Sequence, residues 1–319
     1  MHFLYIAPRY HTNQIPIMKG LKREGHEITF LSQYAGKLED YTTVKPIVVG
    51  YSPVYLFFDA LYVRLMKKKN PYAGDKKIKC GIPRMGKLAK EIKASKADVA
   101  ILRERSVYSI CANMLCKRYG IPTIMYNQSP LWEEKIKNDL PHKLVRMLTP
   151  KVRMTPVLGI PGEDKVKEEG AMFIPFVMEP AHLSGTVKST EDAAAPTPPE
   201  TAATPKKSDG VTEIFCIGKY EKRKNHKMLA EVLSRLPMKD KVHLTIAGEC
   251  TTGAHENYYR ELEELISAKG LAEQVTLYRN LKRQEVDAIY AKSHLFVIPS
   301  TAEPASISQL EAMAHGLPV

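Results

Sequence analysis

Two carboxylates near the end of the sequence are spaced so that both can serve one ligand. Glu303 follows the apolar run 295–298 and lies in a predicted turn, and Glu311 lies about one turn inside the helix that follows. Ser306 and Gln309 fit a capping box at the start of that helix. Carboxylates accept hydrogen bonds from pairs of hydroxyl groups, so the spacing indicates a site for ribose and hexose rings. Two solvated glutamates are the alternative.

A glycine and two lysines follow the apolar run 211–217. Gly218 permits a close backbone approach, and Lys219 and Lys224 frame a turn before a predicted helix. Because helix N-termini attract anions, this turn can bind a diphosphate. A solvated basic turn is the alternative. The backbone amides of Ser306 and Ile307 are expected to face the same phosphates.

Two further candidates lie in the first half of the chain. Asn13 belongs to the polar run 11–14 in the first strand–helix turn, and Arg103 follows the predicted strand 98–102 together with Glu104. Both positions lie at carboxyl ends of strands, where open α/β sheets bind their ligands. An ordinary helix N-cap for Asn13 and a surface ion pair for Arg103 are the alternatives.

These residues require a sheet that brings strand ends together. Apolar runs of strand length alternate with helix-periodic segments, which predicts α/β domains with parallel sheets covered on both faces. Strands are predicted at 2–7, 27–32, 98–102, 122–126, 153–158, 211–217, 241–247, 274–277 and 295–298. Helices are predicted at 12–24, 106–119, 131–149, 224–236, 257–269, 284–291 and 306–315.

The composition divides the chain into two doubly wound, Rossmann-like domains facing a cleft. Residues 1–183 form the predicted acceptor-side domain and residues 211–319 the predicted nucleotide-binding domain. Between them, 184–210 is rich in Pro, Ala and Thr, which predicts a flexible linker or insertion.

Composition excludes several classes of protein. Of 319 residues, 44% are hydrophobic and 26% charged, which is typical of a globular protein. The sequence has no apolar stretch of bilayer length and no signal-peptide pattern at its start, so a cytoplasmic protein is expected. The five cysteines lack the spacing of metal sites, and free thiols are expected.

Positive charge is concentrated in one region. Residues 61–96 carry twelve Lys or Arg against two acids, within a chain whose net charge is +12. The apolar stretch 54–66 precedes Lys67-Lys68-Lys69, a pattern that indicates contact with an anionic membrane surface at the inner face of the membrane. A core helix with a solvated lysine tail is the alternative. Nucleic acid is not an expected partner, because few aromatic residues lie among the lysines.

The C-terminal half resembles family 4 glycosyltransferases of the GT-B fold. The resemblance extends over 211–319 and more loosely to 4–10 and 19–27. It rests on the E-x7-E pair Glu303/Glu311, the surrounding runs 297–300, 310–314 and 316–319, the elements Ile217-Gly218-Lys219-Tyr220 and Lys224-Asn225, and Ile246-Ala247-Gly248-Glu249.

The resemblance implies a role for each matching residue. Lys219 and Lys224 would stabilise the diphosphate as a leaving group, and no metal or other cofactor is expected. Glu303 would bind the transferred sugar and Glu311 the ribose. The base would lie against the turn formed by Arg279, Asn280 and Leu281.

The sequence also departs from the family pattern. Lys219 stands where many members have Arg, and the first turn lacks a glycine pair. Family members continue beyond the position of Val319, so a C-terminally truncated second domain is expected.

Three functions remain open. The first is a retaining transferase that moves a sugar from a nucleotide to a glycan or lipid-linked acceptor in cell-surface polysaccharide synthesis. The second is a sugar-nucleotide epimerase, against which the pair Glu303/Glu311 with Lys224 argues. The third is a non-catalytic, nucleotide-binding remnant.

Overall fold

A computed structural model describes most of the chain. The described residues are 1–36, 39, 41–66, 80–103, 105–134, 139–167, 169–180, 210–301, 303 and 305–319. Almost all of the predicted linker, the core of the basic region at 67–79, and Glu104 lie outside the described residues. The chain divides into two units, Met1–Val177 and Met178–Val319.

The first unit is built on a seven-stranded parallel sheet with the order β3-β2-β1-β4-β5-β7-β9. Its strands, together with the short pair β6 and β8, are β1 His2–Ala7, β2 Glu27–Ser32, β3 Ile47–Val48, β4 Val99–Arg103, β5 Thr123–Tyr126, β6 Trp132–Glu134, β7 Arg153–Thr155, β8 Lys165–Lys167 and β9 Ala171–Phe173. The described helices of this unit are α1 Ile15–Arg23, α2 Pro53–Met66, α3 Met85–Ser95, α4 Val107–Arg118 and α5 Leu140–Leu148.

Both faces of this sheet are covered. In β1, Leu4 and Ile6 pack into one core and Tyr5 and Ala7 into another, because successive side chains of a strand point to opposite faces. A strand that is buried on both faces is apolar throughout, which is why the run is continuous in the sequence.

The second unit repeats this plan with the parallel strand order β12-β11-β10-β13. Its elements are β10 Thr212–Ile217, α6 His226–Arg235, β11 Val242–Gly248, α7 Gly253–Ala268, β12 Val275–Arg279, α8 Arg283–Lys292, β13 Leu295–Phe296 and α9 Ile307–Ala314. Cys216 packs into one core and Phe215 into the opposite one, so this sheet too is covered on both faces.

One predicted helix is correct only in its second half. The sequence predicts a single helix over 131–149, but 132–134 form strand β6, which pairs antiparallel with β8. The helix begins only at Leu140, after Asp139, whose side chain accepts a hydrogen bond from the His142 amide at 3.0 Å. The strand forms because it pairs with residues some thirty positions away. The local pattern of apolar residues does not predict such a pairing.

Two predicted helices begin differently from expectation. Thr12–Gln14 and Lys222–Lys224 are 3-10 turns, and the α-helices start after them, at Ile15 and His226. In the described part of the chain, no helix combines the length and apolar character needed to cross a bilayer.

Candidate active site

The candidate residues of the second unit follow the carboxyl ends of its parallel strands. Gly218 follows β10, Glu249 follows β11 and Asn280 follows β12, while the loop containing Glu303 follows β13. Parallel strands place these ends at one edge of the sheet, where open α/β sheets bind their ligands.

Two glycines allow the chain to pack closely at this edge. A Cβ on Gly248 would lie 2.2 Å from the Gly218 carbonyl oxygen, so only glycine fits without a shift of the backbone. A Cβ on Gly218 would lie 3.0 Å from Cδ of Lys224. The Lys224 side chain therefore lies directly against the Gly218 backbone.

Hydrogen bonds join the 3-10 turn 222–224 to the loop after β13. The Asn225 side-chain amide donates to the Pro299 carbonyl at 3.3 Å, and the Thr301 amide donates to the Arg223 carbonyl at 3.0 Å. Asn225 has φ +55°, a left-handed conformation that asparagine tolerates better than most residues. These contacts hold two loops together that are far apart in sequence.

The two predicted lysines each contact a carboxylate. The Lys224 ammonium forms an ion pair with Glu303, and both side chains are largely buried, at 14% and 18% exposure. Arg223 contacts the same Glu303 oxygen at 3.3 Å. The Lys219 ammonium lies 3.2 Å from Glu249 Oε2. The structure thus brings Lys224 and Glu303 together directly, and Lys219 lies with a carboxylate at the end of the neighbouring strand.

The capped turn and Glu311 lie on α9. Ser306 caps this helix, and its hydroxyl oxygen accepts a hydrogen bond from the Gln309 amide at 3.2 Å, so Ile307 is the first helical residue. The Glu311 carboxylate forms an ion pair with Arg283, and its second oxygen lies 3.3 Å from the Tyr290 hydroxyl.

The predicted base-binding turn has a strong structural role. Asn280 has φ +56°, its side-chain oxygen accepts from the Cys250 amide at 2.8 Å, and its side-chain amide donates to the Cys250 carbonyl at 3.0 Å. Leu281 packs against the core that contains Phe215. Asn280 therefore ties the loops after β11 and β12 together.

In the first unit, the two predicted residues contact each other. The Arg103 guanidinium donates to the Asn13 side-chain oxygen at 3.0 Å and lies 5.1 Å from the centre of the Tyr126 ring. Both are buried. Among the described residues, Arg103 is therefore part of a buried cluster at the end of β4, rather than an exposed ion pair.

Burial changes the pKa of two groups behind the Lys224 turn. Desolvation lowers the pKa of His226 to about 4, and the nearby Lys224 charge acts in the same direction. Desolvation raises the pKa of the Cys216 thiol to about 12, although Lys224 opposes this shift. Both groups are therefore uncharged at neutral pH.

An open depression of about 720 Å³ lies beside this edge of the sheet. Its lining includes Glu303, Ser306 and Gln309, together with apolar residues of α6 and of the segment 295–299. In the described part of the chain, no three His, Cys, Asp or Glu side chains are grouped as ligands for a metal ion.

Three charged residues of the site are not singled out as site residues by the sequence pattern. Arg223 and Glu249 contact predicted residues, and Arg283 holds Glu311. The i, i+4 spacing of Arg283 and Asp287 is an available signal for an ion pair on α8. The contact between Arg283 and Glu311 has no such signal, because it depends on how two helices pack.

Comparison with known proteins finds a family match in the second half of the chain. Residues 199–319 match the family model described as glycosyl transferases group 1. Over 108 residues the chain is 26% identical to mannosylfructose-phosphate synthase of Agrobacterium fabrum (strain C58 / ATCC 33970), a match that covers 33% of the chain. The match spans only about a quarter (24%) of that relative's length.

The whole chain resembles solved structures at the level of the fold. A UDP-forming α,α-trehalose-phosphate synthase from Burkholderia xenovorans aligns with a TM-score of 0.60 and 12% identity, covering 98% of this chain and 81% of that one. Anabaena Alr3699/HepE in complex with UDP aligns with a TM-score of 0.59 and 12% identity, covering 100% and 80%. The chain therefore has the α/β architecture of GT-B glycosyltransferases, and its residues 199–319 are similar to the glycosyl transferases group 1 family.

Proposed function

We propose that this chain is a retaining, family 4 glycosyltransferase that moves a sugar from a nucleoside-diphosphate donor to a glycan or lipid-linked acceptor in cell-surface polysaccharide synthesis. The observation that carries the proposal is the contact between Lys224 and Glu303 at the ends of neighbouring strands. A lysine and a glutamate lie side by side within the region that matches the family model, and we assign the first to the diphosphate and the second to the sugar.

The donor would lie along the carboxyl edge of the second sheet. Lys224 and Lys219 would bind the diphosphate, aided by the N-terminus of α9. Glu303 would accept hydrogen bonds from the transferred sugar, and Glu311 from the ribose. Because both lysines already contact carboxylates, an arriving diphosphate would share these cations or replace their partners.

The reaction moves one glycosyl group. The bond from the anomeric carbon to the diphosphate oxygen breaks, and its electron pair leaves with the diphosphate. The acceptor hydroxyl oxygen bonds to that carbon from the face the diphosphate leaves, and its proton passes to the departing oxygen. Lysine charges placed beforehand lower the barrier, because they stabilise the negative charge that develops on the leaving group.

Incubation of the full chain with radiolabelled sugar nucleotides and membrane lipid extract tests the proposal. We expect label to move into an acceptor, with the anomeric configuration retained by NMR. Isomerised donor without transfer would indicate an epimerase, and binding without turnover would indicate a non-catalytic protein. Either outcome would overturn the proposal.

A pair of glutamate variants links the activity to the site. Glu303→Gln removes the charge next to Lys224, and we expect at least about a hundredfold loss of transfer. Glu264→Gln removes an exposed carboxylate on α7 and should leave transfer unchanged. Full activity of Glu303→Gln would show that the site is wrongly assigned, even if the chain is a transferase.

Helix α2 supports a second part of the proposal, contact with an anionic membrane surface. None of its residues is fully buried, and a stripe along it exposes Val54, Phe57, Phe58, Leu61 and Leu65. In the sequence this helix is followed directly by Lys67-Lys68-Lys69, within the basic region 61–96. Apolar side chains beside lysines suit the boundary between acyl chains and anionic headgroups.

Vesicle flotation tests this contact. We expect the chain to float with phosphatidylglycerol vesicles and not with phosphatidylcholine vesicles, and to be released between about 0.05 M and about 0.5 M salt. Phe57→Ser should weaken flotation, whereas Ile160→Ser, which changes another exposed apolar side chain elsewhere, should not. Equal flotation of both variants would reject α2 as the contact.

A further inference from the structure

A cluster of polar side chains lies behind Glu311, between α8 and α9. It contains Arg283, Asp287, Tyr290 and His315. The side chains of Asp287, His315 and Glu311 are only 7%, 6% and 14% exposed. Carboxylates this deeply buried lose most of their hydration, so neighbouring groups must supply hydrogen bonds or opposite charges in its place.

Arg283 lies between the two carboxylates of this cluster. One terminal guanidinium nitrogen contacts Glu311 Oε1, and the second terminal nitrogen lies 2.9 Å from Asp287 Oδ1. A planar guanidinium has several donors in a fixed arrangement, which lets it hold two groups at once. Arg283 therefore fixes the orientation of Glu311 relative to Asp287.

The rest of the cluster holds Asp287 and Glu311 from other sides. His315 Nε2 lies 3.4 Å from Asp287, and its ring stacks on Tyr290 with centres 5.0 Å apart. The Tyr290 hydroxyl lies 3.1 Å from the Ser308 carbonyl and 3.3 Å from Glu311 Oε2. Burial acts to raise the pKa of Asp287, but hydrogen bonding to His315 and the Arg283 charge outweigh it, so the pKa is lowered.

The contacts leave part of the Glu311 carboxylate available. A carboxylate has about four lone-pair positions, and Arg283 and Tyr290 occupy about two of them. Two hydroxyl groups can therefore still donate to it. Neighbouring hydroxyls on a ribose ring need acceptors in one fixed orientation, and a freely rotating glutamate would lose side-chain entropy on binding them.

We propose that Arg283 is the positioning residue for Glu311, holding the carboxylate in the orientation that receives the 2′- and 3′-hydroxyls of the donor ribose. This inference rests on the proposed function, in which Glu311 binds the ribose. Arg283 itself acts through Glu311 and contacts no substrate. Its removal is expected to weaken recognition of the ribose hydroxyls specifically, and not binding of the diphosphate.

Calorimetric titration of the full chain tests this with two ligands. The first is UDP, GDP or ADP, whichever wild type binds most tightly, and the second is its 2′,3′-dideoxy counterpart. Wild type should prefer the ribose form by about tenfold or more. Arg283→Met should lose most of this preference while binding the dideoxy form as wild type does. Arg283→Lys, which keeps the charge, should recover part of it.

Two controls separate the outcomes. Lys282→Met removes the adjacent, exposed charge and should keep the preference. Glu311→Gln should lose it. If Glu311→Gln loses the preference and Arg283→Met keeps it, the inference fails and the proposed function stands.

The remaining outcomes are also decisive. If wild type binds no nucleoside diphosphate, or Glu311→Gln keeps the preference, the proposed role of Glu311 fails, and the inference fails with it. An equal loss for both ligands in Arg283→Met, in protein with an unchanged melting temperature, would mean that Arg283 acts on the diphosphate instead.

Discussion

Lys224 and Glu303 are seventy-nine positions apart in the chain and in contact in the folded protein. Each side chain is largely buried and has lost much of its hydration. The attraction between the two opposite charges offsets part of that cost. The same arrangement suits a donor whose negative diphosphate and hydroxyl-rich sugar are adjacent. The pair is therefore both a contact between two loops of the unit and the central part of the proposed site.

The two glycines of the site make a first prediction at the residue scale. Gly248→Ala places a Cβ 2.2 Å from a backbone oxygen, which cannot move easily. We therefore expect the free energy of unfolding to fall by about 1–3 kcal/mol or more. In Gly218→Ala, the atoms nearest to the new Cβ belong to the flexible Lys224 side chain, at 3.0 Å and beyond. This variant should lower the free energy of unfolding by less than about 1 kcal/mol, but it should weaken diphosphate binding. Urea unfolding and calorimetry of both variants check this, and equal stability of the two would contradict it.

His226 makes a second residue-scale prediction. Its pKa is about 4 in the folded protein, against an ordinary value of 6.5 that applies to the unfolded chain, so the unfolded state binds the extra proton. The free energy of unfolding should therefore be unaffected by His226 above about pH 6.5 and should fall as the pH drops towards 4. Between about pH 7.5 and about pH 5, His226 should account for a loss of about 2 kcal/mol.

The replacement His226→Phe removes this titration. Urea midpoints of the variant should fall less between the same two pH values than those of wild type. Identical pH dependence of the two proteins would mean that other groups cause the loss.

At the element scale, helix caps separate stability from binding. The Ser306 hydroxyl caps α9 and the Thr252 hydroxyl caps α7 by the same kind of contact, at 3.2 Å and 3.3 Å. Ser306→Ala and Thr252→Ala should each cost about 1 kcal/mol of unfolding free energy. Only Ser306→Ala should also weaken nucleoside-diphosphate binding, because only α9 starts beside Glu303. Equal binding by both variants would argue against a phosphate at the start of α9.

Elements were predictable from the sequence where burial determines the pattern. The core strands β1, β2, β10 and β11 are predicted within about one residue of their observed ends, because buried strands are continuously apolar. The two-residue strand β3 and the pair β6 and β8 are not predicted. Such short strands depend on partners far along the chain, so local composition does not predict the strands.

The site was predictable only in part, for a similar reason. Glycine, lysine and glutamate types indicate Gly218, Lys224, Glu303 and Glu311. They do not indicate that Arg283 reaches Glu311, since that contact depends on the packing of α8 against α9. Asn280 is expected beside the base, yet its side chain binds the Cys250 backbone through both its oxygen and its nitrogen.

At the scale of the whole molecule, two parallel sheets with helices on both faces recur in two units. The second unit carries the region that matches the glycosyl transferases group 1 family, and all donor-side candidates lie in it. The first carries Asn13, Arg103 and the exposed apolar stripe of α2. The residues that we propose for the donor side and for the acceptor side therefore lie in separate units.

The proposed function depends on the binding of a diphosphate at Lys224. Its most direct test is calorimetric titration of nucleoside diphosphates into wild type, Lys224→Met and Lys269→Met, the last removing an exposed lysine at the end of α7. We predict that Lys224→Met binds about tenfold or more weakly than wild type, and that Lys269→Met binds equally well. Unchanged affinity in a folded Lys224→Met protein would contradict the claim.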